Sequence, residues 1–283
     1  MTAQNRSFSA RYRGEQLIVS PHNATIKRIR ALRSRKERDR TGLAFVEGIR
    51  LVVEAAGQPD AIETLVVAPE LLTSALARDL AADRRASGAA CVYVGAEVFG
   101  TLATKDRPQG LGAVVRQRWR TLDQISVAEH PWIALDAVQD PGNLGSILRT
   151  SDAVGAAGVI LLGSAADPYD PAAARASMGA LFTQQLARAQ PAEFAAWVRR
   201  LQVPVIGASG AGADDYRAVA YPRPLVLLMG SERQGLSVEQ LALCDQVVRI
   251  PMVGHSDSLN LAVATSLVLY EIFHQHYSGS HMS

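Results

Sequence analysis

Apolar residues along this chain alternate between short β-type runs and helical stripes, and the alternation starts afresh once, near residue 131. In the first stretch Asn23 can cap a helix carrying Ile26, Ile29 and Leu32 at i, i+3, i+6 spacing. The run Leu43-Ala-Phe-Val-Glu47 follows and stops at Gly48. A second helical stripe (Leu51, Val52, Val53, Ala55) comes next, then the strand-like Leu65-Val-Val and Cys91-Val-Tyr-Val. Leu111-Gly-Ala-Val-Val closes the series after the turn Arg107-Pro-Gln-Gly110. Strands alternating with helices over this length predict a small α/β domain over residues 15–117. Residues 118–130, mostly polar and irregular, are expected to form a linker.

The second series predicts strands at Trp132-Ile-Ala-Leu, Val159-Ile-Leu-Leu162, Val203-Pro-Val-Ile-Gly-Ala208, Leu225-Val-Leu-Leu-Met229 and Val247-Val-Arg-Ile250. A helix is expected over residues 142–154, with Leu144, Ile147, Leu148 and Ser151 on one face. A last helix over 259–276 carries Leu261, Ala264, Thr265, Val268 and Ile272 as a stripe. Val/Leu/Ile-rich strands between helices predict a mostly parallel sheet covered on both faces, the α/β class, over residues 131–277. Ligands of such sheets bind at the carboxyl ends of strands.

Three polar, Gly- or Pro-bearing segments follow strands of this second series: Asp140-Pro-Gly-Asn-Leu-Gly-Ser-Ile-Leu-Arg149, Gly230-Ser-Glu-Arg-Gln-Gly-Leu236 and Ile250-Pro-Met-Val-Gly-His-Ser-Asp-Ser-Leu-Asn260. Loops at strand ends leave backbone amides and carbonyls unpaired, so three such loops together predict a binding site. The sequence lacks a P-loop, a nucleophile elbow and the dinucleotide fingerprint Gly-x-Gly-x-x-Gly at the first strand. Among the common cofactors, one without phosphates remains.

Composition narrows the picture further. No apolar run approaches the ~20 residues that span a bilayer, and the amino-terminal residues lack a signal-peptide core, so a cytoplasmic protein is expected. The 2 cysteines, Cys91 and Cys244, are expected to be small buried thiols, and no histidine spacing suggests a metal. Formal net charge is only +2, yet Lys27, Arg28, Arg30, Arg33, Arg35, Lys36, Arg38 and Arg40 crowd one segment. Such a run is either a solvated helix face or a contact for a phosphate backbone. Gly279-Ser-His-Met-Ser283, within a tail of residues 278–283, has the look of a vector remnant.

The three loop segments resemble, in order and spacing, the motifs of the SpoU/TrmH branch of the SPOUT RNA methyltransferases. Arg175-Ala-Ser-Met-Gly-Ala180 and Tyr270-Glu271 add to the likeness. The first module, through Ser20-Pro-His-Asn, Phe45-Val-Glu-Gly48 and Pro108-Gln-Gly110, is similar to the ribosomal-protein-like substrate-binding domain of that family. The resemblance implies S-adenosylmethionine-dependent methylation of a ribose 2′-hydroxyl in RNA, ribosomal RNA before transfer RNA. It also implies a homodimer and a deep trefoil knot, an exception to unthreaded topology. A transfer-RNA ribose methyltransferase and a non-catalytic RNA-binding or ribosome-assembly factor on the same fold are the alternatives.

Carried over residue by residue, the resemblance makes Arg149 the group working at the target nucleotide. Asn143 would hydrogen-bond Arg149 or cap its helix, and Glu232 would orient Arg149 or a loop amide. Ser258 and Asn260 would contact ribose or cofactor, with Ser258 also a candidate cap of the last helix. Met229, Gly230, Ile250 and Leu259 would hold the cofactor mainly through backbone, flanked by Met252 and the turn at Ala208. Lys27, Arg30, Arg33, Arg35 and Lys36 would contact RNA. His255 is not expected to act as a base. Arg233, standing where relatives often keep glycine, departs from the second motif.

Overall fold

The computed structural model describes residues 17–104 and 106–278. The amino-terminal 16 residues and the 279–283 tail lie outside the described residues. The chain forms two compact units. One comprises the described residues up to Gln117 together with Tyr169–Phe182; the other comprises Arg118–Pro168 and the chain from Thr183 onward.

In the first unit, helix α1 (Ala24–Ala31) begins at Asn23, whose side chain accepts from the Thr25 amide at 2.8 Å. It buries Ile26, Ile29 and Leu32 as the spacing predicts. A second helix, α2 (Arg35–Thr41), follows between Ser34 and Gly42, the latter left-handed at φ 67°. Strand β1 (Leu43–Glu47), helix α3 (Ile49–Ala56), strand β2 (Ile62–Val67), helix α4 (Ala75–Ala86), strand β3 (Cys91–Tyr93), helix α5 (Ala96–Leu102) and strand β4 (Leu111–Arg116) complete the series. The sheet order is β1-β4-β2-β3, with β4 antiparallel to both neighbours and β3 parallel to β2. Ile26, Ile29, Val66, Phe99 and Val114 belong to one buried cluster, so α1, α5 and the sheet share a core.

Segment Tyr169–Phe182, with helix α7 (Pro171–Ala176), packs within this unit although it follows the second unit's early strands. The buried Arg38 guanidinium donates to the carbonyls of Leu32 (3.0 Å) and Arg33 (2.8 Å) and lies 3.7 Å from the Asp170 carboxylate. Arg50 donates to the Met178 carbonyl at 2.8 Å.

The second unit is built on strands β5 (Trp132–Asp136), β6 (Gly158–Leu162), β7 (Gln185–Ala189), β8 (Val205–Ala208), β9 (Asp214–Asp215), β10 (Val226–Met229) and β11 (Gln246–Arg249). They form one seven-stranded sheet, every ladder parallel, in the order β7-β6-β5-β10-β8-β11-β9. Helices α6 (Pro141–Ala153), α9 (Pro191–Leu201), α10 (Val238–Leu241) and α11 (Leu261–Ser278) belong to this unit, and α8 (Ala180–Thr183) straddles its border. Strands β5, β6 and β10 are buried on both faces apart from Asp136, which explains their unbroken apolar runs. Trp132, Phe194, Trp197 and Leu228 share the core on one face. Helix α6 buries Leu144, Ile147, Leu148 and Ser151, the face its spacing predicts, and packs against α11. Neither cysteine is in a disulfide among the described residues; both are half-buried, and burial pushes the Cys244 thiol up to about 11.

Candidate functional site

The registers of the parallel ladders decide where the three loops emerge. Met229 at the end of β10 pairs with Leu135 of β5 and with Ala208 of β8, and Ala208 pairs with Val248 of β11. Four adjacent strands therefore end at one level, and the segments after β5, β8, β10 and β11 leave the sheet side by side. The turn after β8 is fixed by the Ser209 amide donating to the Val248 carbonyl at 2.9 Å.

The first loop enters α6 through a strong start signal. Asp140 is the N-cap, Pro141 occupies the first turn, and the Asp140 carboxylate accepts from the Asn143 amide at 2.7 Å. Asn143 is therefore not the cap; its side chain is released for other partners. Its Nδ2 donates to Oε1 of Glu232 in the second loop, and its Oδ1 accepts from Nδ2 of Asn260 at 2.9 Å in the third. The other oxygen of Glu232 accepts from the Gln139 amide at 3.1 Å. One chain of side-chain hydrogen bonds thus ties all three segments together.

Several sequence expectations are refined by this geometry. Glu232 orients a loop amide, not Arg149. Nor does Asn143 bond Arg149: six helical residues separate them by about 9 Å of rise and about 120° of rotation. Arg149 is exposed on α6. Ser258 does not cap the last helix, because Oδ1 of Asn260 accepts from the amides of Ala262 (2.9 Å) and Val263 (3.3 Å). Asn260 therefore closes the loop, starts α11 and reaches Asn143 at once.

The second loop is a tight reversal in which Ser231 and Gly235 exchange backbone hydrogen bonds at 3.0 and 2.9 Å. A Cβ on Gly230 would run into the backbone of Gly235 and Leu236, so glycine is required there by close approach. Arg233 is exposed and leaves this reversal intact. Residues 250–259 make no backbone hydrogen bond among the described residues, and positions 251–260 are all exposed. Ile250 is half-buried, whereas Met252 and Leu259 present apolar side chains at the surface. Met229 is buried. The donor set is one of backbone amides, carbonyls and apolar walls with no cationic cradle, which fits an adenosyl cofactor lacking phosphates.

Gln139 and Asp140 are positions of this network to which the loop readings gave no role. Asp140 had a signal, the Asp-Pro pair at a helix start; Gln139, acting through its amide, had none.

The basic segment divides by geometry. Lys27 and Lys36 are exposed. Arg30 donates to the Pro21 carbonyl and the Thr101 hydroxyl, and Arg33 to the carbonyls of Thr101 and Ala103. Arg35 pairs with Asp39 at 3.5 Å, Arg40 pairs with Glu37, and Arg38 is 2 % exposed. Of the eight cations in this run, Arg38 alone is buried and Arg30 half-buried, and the other six are exposed.

Comparison with known proteins agrees with this anatomy. Residues 131–270 match the SpoU rRNA methylase family, and residues 23–113 match the MRM3-like substrate-binding domain. A 23S rRNA (uridine(2479)-2′-O)-methyltransferase of Streptomyces viridochromogenes is 35% identical over 95% of this chain and 98% of its own length. The 23S rRNA (guanosine(2553)-2′-O)-methyltransferase RlmP of Bacillus subtilis is 28% identical over 90% of this chain and 98% of its own. The AdoMet-bound rRNA methyltransferase from Sinorhizobium meliloti superposes with a TM-score of 0.84 at 39% identity, covering 93% of this chain and 98% of that one. The chain belongs to the SpoU rRNA methylase family.

Proposed function

We propose that this protein transfers the methyl group of S-adenosylmethionine to a ribose 2′-hydroxyl of ribosomal RNA. The observation that carries the reading is the Glu232–Asn143–Asn260 hydrogen-bond chain, which joins three loops at the carboxyl edge of a parallel sheet. The named activities of full-length relatives point the same way.

S-adenosylmethionine, when bound, supplies a methyl group already activated by its sulfonium. The backbone at Met229, Gly230, Ile250 and Leu259 would hold it, with Ala208 and Met252 walling the adenine. What remains for the protein is alignment and charge. Orienting reactants can lower a barrier by up to ~7–11 kcal/mol. The linked loops serve that end by fixing one another, and Ser258 and Asn260 of the third loop would contact ribose or cofactor. Arg149, exposed and outside the network, would meet an anionic nucleotide. A guanidinium beside the 2′-hydroxyl favours the developing alkoxide and so eases proton loss.

RNA is further engaged by the first unit, where Lys27, Arg30, Arg33, Arg35 and Lys36 supply positive charge to a ribosomal-protein-like fold. The enzyme acts as a homodimer through α11. Val263, Leu267 and Tyr270, at i, i+4 and i+7, leave an apolar stripe that is 49%, 38% and 52% exposed. A trefoil knot suits the strand order: β10 and β8, late in the chain, lie inside the sheet, and the chain then returns from β11 to pack α11 on α6. Acting on ribosomal RNA, the protein would work in the cytoplasm.

The test is calorimetric titration with S-adenosylmethionine, followed by methyl transfer to deproteinised ribosomal RNA. Micromolar cofactor binding with transfer to a ribose is expected; absence of cofactor binding by the folded protein refutes the reading.

A further inference from the structure

Outside the three-loop site, the second unit carries a groove of about 580 Å³ between residues 119–123 and α9. Its lining includes Trp119, Arg120, Asp123, Arg188, Glu193 and Arg200. The Arg188 guanidinium lies over the Trp119 ring, 3.7 Å from its centroid. Guanidinium and indole are both flat, and together they form a layered platform. Trp197, nearly fully buried, makes an apolar wall.

This segment is held like an additional rung of the sheet. The Arg120 amide donates to the Leu186 carbonyl at 2.7 Å, and Arg120 forms a parallel bridge with Ala187 of β7. Thr121 and Gln124 then exchange cap hydrogen bonds. With its backbone fixed on both sides of the platform, Arg120 keeps an exposed side chain at the groove. Arginines outnumber carboxylates in the lining three to two. Asp123 is paired with Arg200 and Arg188 lies 3.7 Å from the Asp167 carboxylate, which leaves Arg120 as the arginine of the lining turned to the groove for a phosphate.

We propose that this groove is a second RNA-contacting surface, which stacks an unpaired base of the substrate on the Trp119–Arg188 layer and meets its phosphate with Arg120. Aromatic and guanidinium faces accept any base by stacking, and adjacent positive charge tracks the backbone. The inference rests on the reading of the protein as an RNA methyltransferase and extends it to the catalytic unit's own grip on single-stranded RNA.

The full-length protein, with Trp119→Ala, Trp119→Phe and Arg120→Glu variants, is titrated against a fluorescently labelled fragment of the methylated ribosomal RNA. Cofactor titration and circular dichroism report on folding. Trp119→Ala is expected to raise Kd about tenfold, Trp119→Phe to retain most affinity, and Arg120→Glu to weaken binding and flatten its salt dependence. All three should bind S-adenosylmethionine as the parent does. Photo-crosslinking with 4-thiouridine RNA should label the peptide containing Trp119. Unchanged RNA affinity in folded Trp119→Ala and Arg120→Glu overturns the proposal, as does loss of melting temperature in Trp119→Ala without loss of affinity. If the parent methylates RNA while these variants match it, the groove alone fails. If the parent binds RNA through the groove yet transfers no methyl, the enzymatic reading alone fails.

Discussion

Asn260 donates a hydrogen bond to Asn143 at 2.9 Å across 117 residues of sequence. The same Asn143 donates to Glu232, so one amide side chain is both acceptor and donor between two other loops. Neither an ionised carboxylate, which only accepts, nor an aliphatic residue could fill both roles, whereas the amide carries donor and acceptor together. The first motif is thereby the keystone of the other two.

Asn143→Ala removes both bonds and lets the second and third loops drift. Displacements of about an ångström at a reacting centre can cost about 10²-fold in rate. Turnover is therefore expected to fall by about that factor, while α6, still capped by Asp140, remains folded. Single-turnover methylation with circular dichroism checks both halves.

Arg149 is exposed and takes part in no hydrogen bond or ion pair among the described residues. Its replacement by alanine should change stability by no more than about 0.5 kcal/mol. If its charge acts at the ribose, methyl transfer should fall by roughly 10²–10³-fold. A variant with full activity and parental melting would remove Arg149 from the mechanism.

Gly230→Ala places a methyl group against the backbone of Gly235 and Leu236. Overpacking of this kind costs about 1–3 kcal/mol and here must open the second-motif reversal. Cofactor affinity should drop along with the denaturation midpoint, measured by calorimetry and urea titration.

Leu267→Glu sets a charge in the exposed stripe of α11 without touching the hydrogen-bonded network. A dimer formed through that face should dissociate, as light scattering coupled to size exclusion would record. Persistence of the dimer would move the interface elsewhere.

Arg38→Ala strips donors from the carbonyls of Leu32 and Arg33 in a buried position. A loss of roughly 2–3 kcal/mol is expected for the first unit, from unsatisfied buried acceptors. Lys27→Ala and Lys36→Ala, both at exposed positions, should leave melting unchanged and lower RNA affinity instead. Thermal scans and RNA titrations separate the two behaviours.

Much of this architecture was legible where burial imposes a pattern. The runs of β5, β6 and β10 and the stripe on α6 are direct consequences of two-sided or one-sided burial. Helix α2 escaped notice because Arg-Lys-Glu-Arg-Asp-Arg-Thr contains no apolar residue to set a period; only Ser34 and Gly42 mark its ends. Strand β7 was hidden too, since its Gln-Leu-Ala-Arg-Ala edge sequence alternates weakly. At the site, the motifs identified Asn143, Glu232 and Asn260 but not their mutual bonds. Register between distant strands decides those, and sequence spacing carries no trace of it. Within the basic segment, net charge alone could not tell the buried Arg38, which satisfies carbonyls, from its exposed neighbours.

The most direct test of the central claim is mass spectrometry of nucleosides from ribosomal RNA incubated with the protein and methyl-deuterated S-adenosylmethionine. The account predicts label in a single 2′-O-methylated nucleoside, strongly reduced with Asn143→Ala. Label on a base, or none in either sample, would contradict it.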